Sequence, residues 1–130
     1  MFIKIVLFMI LFHIIDDLVL QPICLSKLKQ KSWWEACGAD KGKYQSDYKC
    51  GLVMSAVSWS IMVHIPILIV FPLVNEFILF GSILVNMIIH YYCDDLKVNK
   101  FKIDFTKDQF IRIMQIIVTA NLFMALSLFL

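Results

Sequence analysis

Three long stretches of this chain carry little charge, and the segments between them hold most of it. Residues 2–20, 50–93 and 108–130 are dominated by Ile, Leu, Val, Phe and Met, while the charged residues gather at 26–49 and 94–108. A helix needs about 20 mostly apolar residues to cross roughly 30 Å of hydrocarbon. With 61% hydrophobic residues, against about 45–50% in globular domains, a chain of 130 residues cannot hide this surface in a soluble core. Lipid can accommodate it.

The middle stretch is too long for one span. Pro66 and Pro72 disfavour continuous helix, and Asn75 and Glu76 supply a polar turn, so it divides in two. The expected architecture is an all-α membrane protein, a four-transmembrane-helix bundle forming one domain over residues 1–130. Its helices fall at about 2–20, 50–71, 74–93 and 108–130, the first extending along the interface through residues 23–25. Backbone in lipid must satisfy its own hydrogen bonds, and these runs lack the alternation of barrel strands.

Lysines set the expected orientation. Lys27, Lys29, Lys31, Lys41, Lys43 and Lys49 lie in the first loop, and Lys97, Lys100, Lys102 and Lys107 in the third. The other side holds only Lys4, with Glu76 in the short turn. Four spans put both lysine-rich loops on one face, the cytoplasmic one by the positive-inside rule, with both termini opposite. Trp33 and Trp34, set among lysines, suit a short segment at headgroup level, and Gly38 and Gly42 punctuate the loop that follows. Gly51/Ser55 and Ala56/Ser60 are small pairs at i,i+4 that let another helix approach closely.

No small-x-small cleavage site follows residues 1–12; His13 and the Asp16–Asp17 pair come instead, so the first run reads as a retained anchor. Cys24, Cys37, Cys50 and Cys93 form no C-x-x-C pair, which argues against a zinc finger. In cytoplasmic loops these thiols stay reduced. A single arginine among eleven lysines, with abundant isoleucine, is the bias of an AT-rich bacterial or phage genome. Anionic headgroups account for the lysines; no nucleic-acid partner, Gly-rich phosphate loop or nucleophile elbow is indicated.

The informative residues are polar ones in or beside the bilayer. His13 and Asp17 are four apart, His90 and Asp94 repeat the spacing, and Asp108 and Arg112 repeat it again, so each pair shares a helix face. The topology puts all three pairs near the cytoplasmic boundary, with Asp95 and Gln109 beside them. Carboxylates gathered there must be neutralised by protons, by Arg112 or by a cation. His13, Asp17, His90, Asp94 and Asp108 are candidate ligands of a divalent metal ion, and mixed His/Asp ligation suits zinc, manganese or iron. Such an ion generates hydroxide near neutral pH. A hydrogen-bonded, solvated helix terminus has the same spacing, and Asp108 suits a helix N-terminus by capping alone. His64 reads as local packing.

In these motifs the chain resembles a bacterial and phage family of small integral-membrane proteins that carries only a domain-of-unknown-function label. The resemblance rests on His13-x3-Asp17-x3-Gln21, the Lys31–Trp34 stretch, Asp47-Tyr48, Asn86-x3-His90-x3-Asp94, Asp95-Leu96-Lys97 and Asp108-Gln109. It implies the membrane architecture and a shared polar cluster, and no reaction. Two departures matter: the family pattern continues Asp-Gln-x2-His where this chain has Arg112, and places a histidine near Met54 and Ser55, where none stands. Arg112 would then supply fixed positive charge where a metal would sit.

The functional reading is a small polytopic inner-membrane protein that binds membrane lipids, another membrane protein or itself, with a polar His/Asp cluster at the cytoplasmic face. The alternative is a membrane-embedded, metal-dependent hydrolase of a lipid-linked or phosphoester substrate. A channel or transporter ranks below both, because the charged cluster lies at one face and no inverted repeat is visible.

Overall fold

The computed structural model describes residues 1–21, 24–38 and 45–127. Lys41, Gly42, Lys43, Ile23, the Cys24 thiol and residues 128–130 of the expected last helix lie outside that description. The regular elements of the described residues are all helical: α1 (Phe2–Ile15), running into a π-helical turn (Asp16–Leu20), α2 (Cys24–Leu28), α3 (Lys31–Ala36), α4 (Asp47–Val70), α5 (Glu76–Val98) and α6 (Phe105–Leu126). By length and composition, α4, α5 and α6 are each able to cross a membrane, and α1 with its π-turn is a further N-terminal helix beside them.

The burial pattern is inverted relative to a soluble protein. On α5 the buried residues are Ser82, Asn86, His90, Cys93 and Asp94, while Phe77, Phe80, Leu84, Val85 and Ile88 are exposed. Ser82, Asn86, His90 and Asp94 recur every four residues, so one helix face carries them all. In lipid the apolar face needs no cover and the polar stripe does. Packing inside the bundle is then divided lengthwise. Ile5 and Met9 of α1, Trp59, Val63 and Ile67 of α4, and Ile116, Ala120 and Phe123 of α6 form an apolar core; the ionisable side chains gather beyond Trp59, at the opposite end.

Helix boundaries differ from the sequence expectation in instructive ways. Pro66 lies inside α4 rather than ending it. A proline deletes one backbone donor, here the partner of the Met62 carbonyl, and a bundle tolerates that where neighbouring helices pack around it. The break comes at Phe71-Pro72, where the pre-proline residue leaves helical geometry (φ −123°, ψ 70°). Asn75 then caps α5, its side-chain oxygen accepting from the Phe77 and Ile78 amides at 2.9 and 3.4 Å. That helix runs on past Cys93 to Val98, because Asp94 and Asp95 find cationic partners. α6 begins earlier than expected: Asp104, not Asp108, is its cap and accepts from the Lys107 amide at 2.8 Å. Asp108 is thereby released to point inward.

The small pairs on α4 are all buried, and at Gly51 the reason is visible. A β-carbon there would lie 2.5 Å from the Leu28 carbonyl oxygen and 2.8 Å from the Lys29 amide nitrogen. The end of α2 thus rests directly on the α4 backbone. His64, expected to be packing, ties α4 to α5: its Nε2 is 2.8 Å from Ser82 Oγ and its Nδ1 is 2.7 Å from the Ser60 carbonyl oxygen.

Gly51→Ala gives a signed test of this contact. In an unobstructed helix the change stabilises by up to about 1 kcal/mol through propensity. Here both obstructing groups are backbone, so overpacking should destabilise by about 1–3 kcal/mol. Reversible unfolding in mixed micelles should show a loss; a gain would mean that α2 does not rest on α4.

Candidate functional site

The π-helical turn decides which acid faces which neighbour. In α-helical geometry His13, Asp17 and Gln21 would share a face. The i→i+5 bonding of the π-turn, with the Gln21 amide donating to the Asp16 carbonyl at 3.0 Å, instead brings Gln21 onto the face of Asp16. The Gln21 side-chain amide donates to Asp16 Oδ2, and Ser58 Oγ donates to Asp16 Oδ1 at 2.5 Å. Asp16 is fully buried and Asp17 is turned toward α6. π-Turns in α-helices are frequent at functional sites.

Arg112 is the hub of the charged cluster. Its Nη1 donates to Asp17 at 2.7 Å, its Nη2 to Asp94 at 2.9 Å and its Nε to Asp108 at 3.1 Å. One guanidinium thus holds a carboxylate from the end of α1, the end of α5 and the start of α6. Arg112 is 2% exposed, and Asp94 and Asp108 are fully buried. Lys97 adds a bond to Asp108 at 2.7 Å, and Lys29 adds one to Asp94 at 2.8 Å. Ser55 donates either to that same Asp94 oxygen or to Gln21, each at 2.9 Å. Three cations therefore meet Asp17, Asp94 and Asp108 charge for charge.

The histidines are used differently from one another. Trp59 Nε1, which can only donate, bonds to His13 Nδ1 at 2.9 Å. That puts the His13 proton on Nε2, which donates to Gln109 Oε1 at 3.0 Å; Gln109 Nε2 in turn donates to Asp17 at 3.3 Å. A directional chain runs from Trp59 to Asp17. His90 stacks on the Trp59 ring, with centroids 4.7 Å apart and planes at 20°. Its Nε2 is 3.5 Å from Asp94 Oδ2 but out of hydrogen-bonding geometry, and neither ring nitrogen has a hydrogen-bond partner among the described residues. The Trp59 ring contacts both imidazoles, one through its N–H and the other through its face.

Of the eight residues singled out in the sequence, His13, Asp17, His90, Asp94, Asp108, Gln109 and Arg112 come together. Asp95 does not: it turns to the surface, pairing with Lys100 at 2.8 Å and Asn99 at 3.0 Å, and its hydrogen bond raises the Lys100 pKa above the ordinary lysine value. Asn99 also joins the two lysine-rich segments, accepting from the Lys31 amide at 2.8 Å and donating to the Lys29 carbonyl at 3.1 Å. Spacing rules marked Ser55 only as half of a small pair for helix packing, and they did not reveal Asp16, Lys29, Ser58 or Trp59. Of these, only Asp16, adjacent to Asp17 and embedded in an apolar run, carried a readable signal.

Among the described residues, no three His, Cys, Asp or Glu side chains are gathered to hold a metal ion. The positions of the five candidate ligands, His13, Asp17, His90, Asp94 and Asp108, explain this. The three carboxylates already converge on a guanidinium, and both His13 nitrogens are engaged. The donor set as arranged does not suit a divalent cation. No family model, curated protein or solved structure matches the chain.

Removing Arg112 should leave buried carboxylates short of one counter-charge. Breaking a buried ion pair from one side typically costs about 3–5 kcal/mol, so Arg112→Met should destabilise by that order in mixed-micelle unfolding. Adding Asp94→Asn to Arg112→Met should recover part of the loss, with a coupling of about 1 kcal/mol or more. Additive effects would mean that the two side chains do not share a charge.

Proposed function

We propose that the chain is a four-span bundle of the bacterial cytoplasmic membrane, in a bacterial or phage-encoded setting, and that it acts by binding rather than by metal-assisted hydrolysis. α1 with its π-turn is the fourth span, the lysine-rich segments face the cytoplasm, and the start of α1 and the end of α6 lie on the other face. The contacts of Arg112 carry this reading. They draw the tips of three helices together at one end, beside Lys29 and Lys97, and they occupy the carboxylates that a hydrolytic metal would need.

The residues left outside the spans are few, so partners meet the chain either through lipid-facing helix surfaces or through the lysine-bearing end. Membrane lipids come first among these, followed by another membrane protein or a second copy. The motifs also group the chain with small integral-membrane proteins that carry no assigned activity. A hydrolase at these residues would require Arg112 to withdraw from three acids at once.

Native cysteines provide the test. Cys37 and Cys50 are exposed on the lysine-rich side and Cys93 is buried, while Leu73, in the turn between α4 and α5, is 91% exposed. With Cys24 and Cys93 changed to serine, a membrane-impermeant maleimide should label Cys37 and Cys50 in inverted vesicles and not in intact spheroplasts. A Leu73→Cys variant lacking the other thiols should show the reverse. Labelling of both sets from one side would sink the four-span reading.

A further inference from the structure

Between the π-turn of α1, the segment carrying Lys29, the end of α5 and the start of α6 lies a cavity of about 420 Å³, within the range of small-ligand sites. Its charged lining is Asp17, Lys29, Lys97 and Arg112, and its outer wall is Ile14, Leu18 and Phe105. We infer that this cavity binds the headgroup of a phospholipid that carries both a phosphate and a primary ammonium, with the acyl chains running along that wall. The inference rests on the membrane-binding reading above and names its ligand.

Hydrogen-bonding capacity supplies the first half of the case. A guanidinium has five N–H donors and an ammonium three. Among the described residues Arg112 spends three, on Asp17, Asp94 and Asp108, and Lys97 spends one, on Asp108, its ammonium standing 4.9 Å from the Phe105 ring centroid. Donors remain on both residues, and both line the same cavity, as a phosphate requires. On the same cavity Asp17 Oδ2 accepts, among the described residues, only the long Gln109 bond of 3.3 Å and lies 3.9 Å from His13 Nε2. The side chains of Asp17 and Lys97 are 25% and 28% exposed, whereas those of Asp94, Asp108 and Arg112 are buried. The accessible poles are thus one negative and one positive.

Charge balance supplies the second half. Lys29, Lys97 and Arg112 are already matched by Asp17, Asp94 and Asp108, and a further carboxyl, Asp16, is buried behind Gln21 of the lining, so a bare anion would add uncompensated charge to a poorly solvated site. A ligand with both signs adds none. The Asp17 oxygen, holding only a long bond from Gln109, can accept a second, shorter N–H bond, which a primary ammonium offers and a quaternary one does not. Leu18 is 70% exposed and Phe105 66%, an apolar wall beside a charged pocket, which suits a headgroup attached to acyl chains.

Native mass spectrometry of the full chain released from nanodiscs holding equal parts phosphatidylethanolamine, phosphatidylcholine and phosphatidylglycerol tests the inference. Phosphatidylethanolamine should be retained on the order of tenfold over either competitor, the worth of one charge-assisted hydrogen bond. Asp17→Asn should abolish the discrimination against phosphatidylcholine. Leu18→Gln, outside the ion-pair set, should lower retention of all lipids while the melting temperature stays near that of the parent. Even retention of the three lipids, preference for phosphatidylglycerol, or selectivity that survives Asp17→Asn in folded protein would overturn it. So would unchanged retention in Leu18→Gln. If soluble phosphoethanolamine protects the lipid-free chain from heat as well as the phospholipid does, the free ester is the ligand and the lipid assignment fails. Failure here with the maleimide pattern intact would leave the four-span binding reading standing.

Discussion

A guanidinium shared by three carboxylates is tolerable away from water only when each charge has its partner in place, because an ionised group left alone near the bilayer costs several kcal/mol. Arg112 imposes that condition on three helices at once, through Asp17, Asp94 and Asp108. The end of α1, the end of α5 and the start of α6 must therefore meet at one depth. Other features at this end depend on the same meeting. Lys29 reaches Asp94 only because Gly51 lets the α2 backbone rest on α4, and Asp108 faces inward because Asp104 has taken the cap.

Hydrocarbon packing supplies the complementary half. Helices that cross a membrane gain little from hiding apolar surface from one another, and the apolar core of α1, α4 and α6 holds this end of the bundle by close contact. Polar groups on the buried faces then set which helices pair: His64 with Ser82, Asn86 with Thr119 at 2.9 Å, and Gln115 with Asn86 at 3.0 Å. α5 contributes to each of these pairs. Its polar stripe, more than apolar fit, fixes its rotation.

Much of this was legible in the sequence. The apolar runs gave the helices, and the i,i+4 spacing of His13 with Asp17, His90 with Asp94 and Asp108 with Arg112 singled out residues that do converge. Arg112 was readable as one of the groups able to neutralise the gathered carboxylates, and it does contact three of them. Three things were hidden for physical reasons. A π-turn shifts the helical period by one residue, so Asp16 and Gln21 pair where spacing put Asp17 with Gln21. Lys29 looked like one lysine among many because its partner, Asp94, is 65 residues away in sequence. Trp59 looked like any apolar residue of α4, yet its N–H fixes the His13 tautomer while its ring lies against His90.

Distances between the Arg112 guanidinium nitrogens and aspartate carboxyl carbons, measured by rotational-echo NMR on the isotope-labelled chain in lipid bilayers, test the shared counter-ion most directly. Strong dephasing should come from Asp17, Asp94 and Asp108 together, in line with nitrogen–oxygen separations of 2.7, 2.9 and 3.1 Å, and should vanish from each residue in turn when it alone is left unlabelled or changed to asparagine. A guanidinium that contacts water and none of these carboxylates would contradict the account.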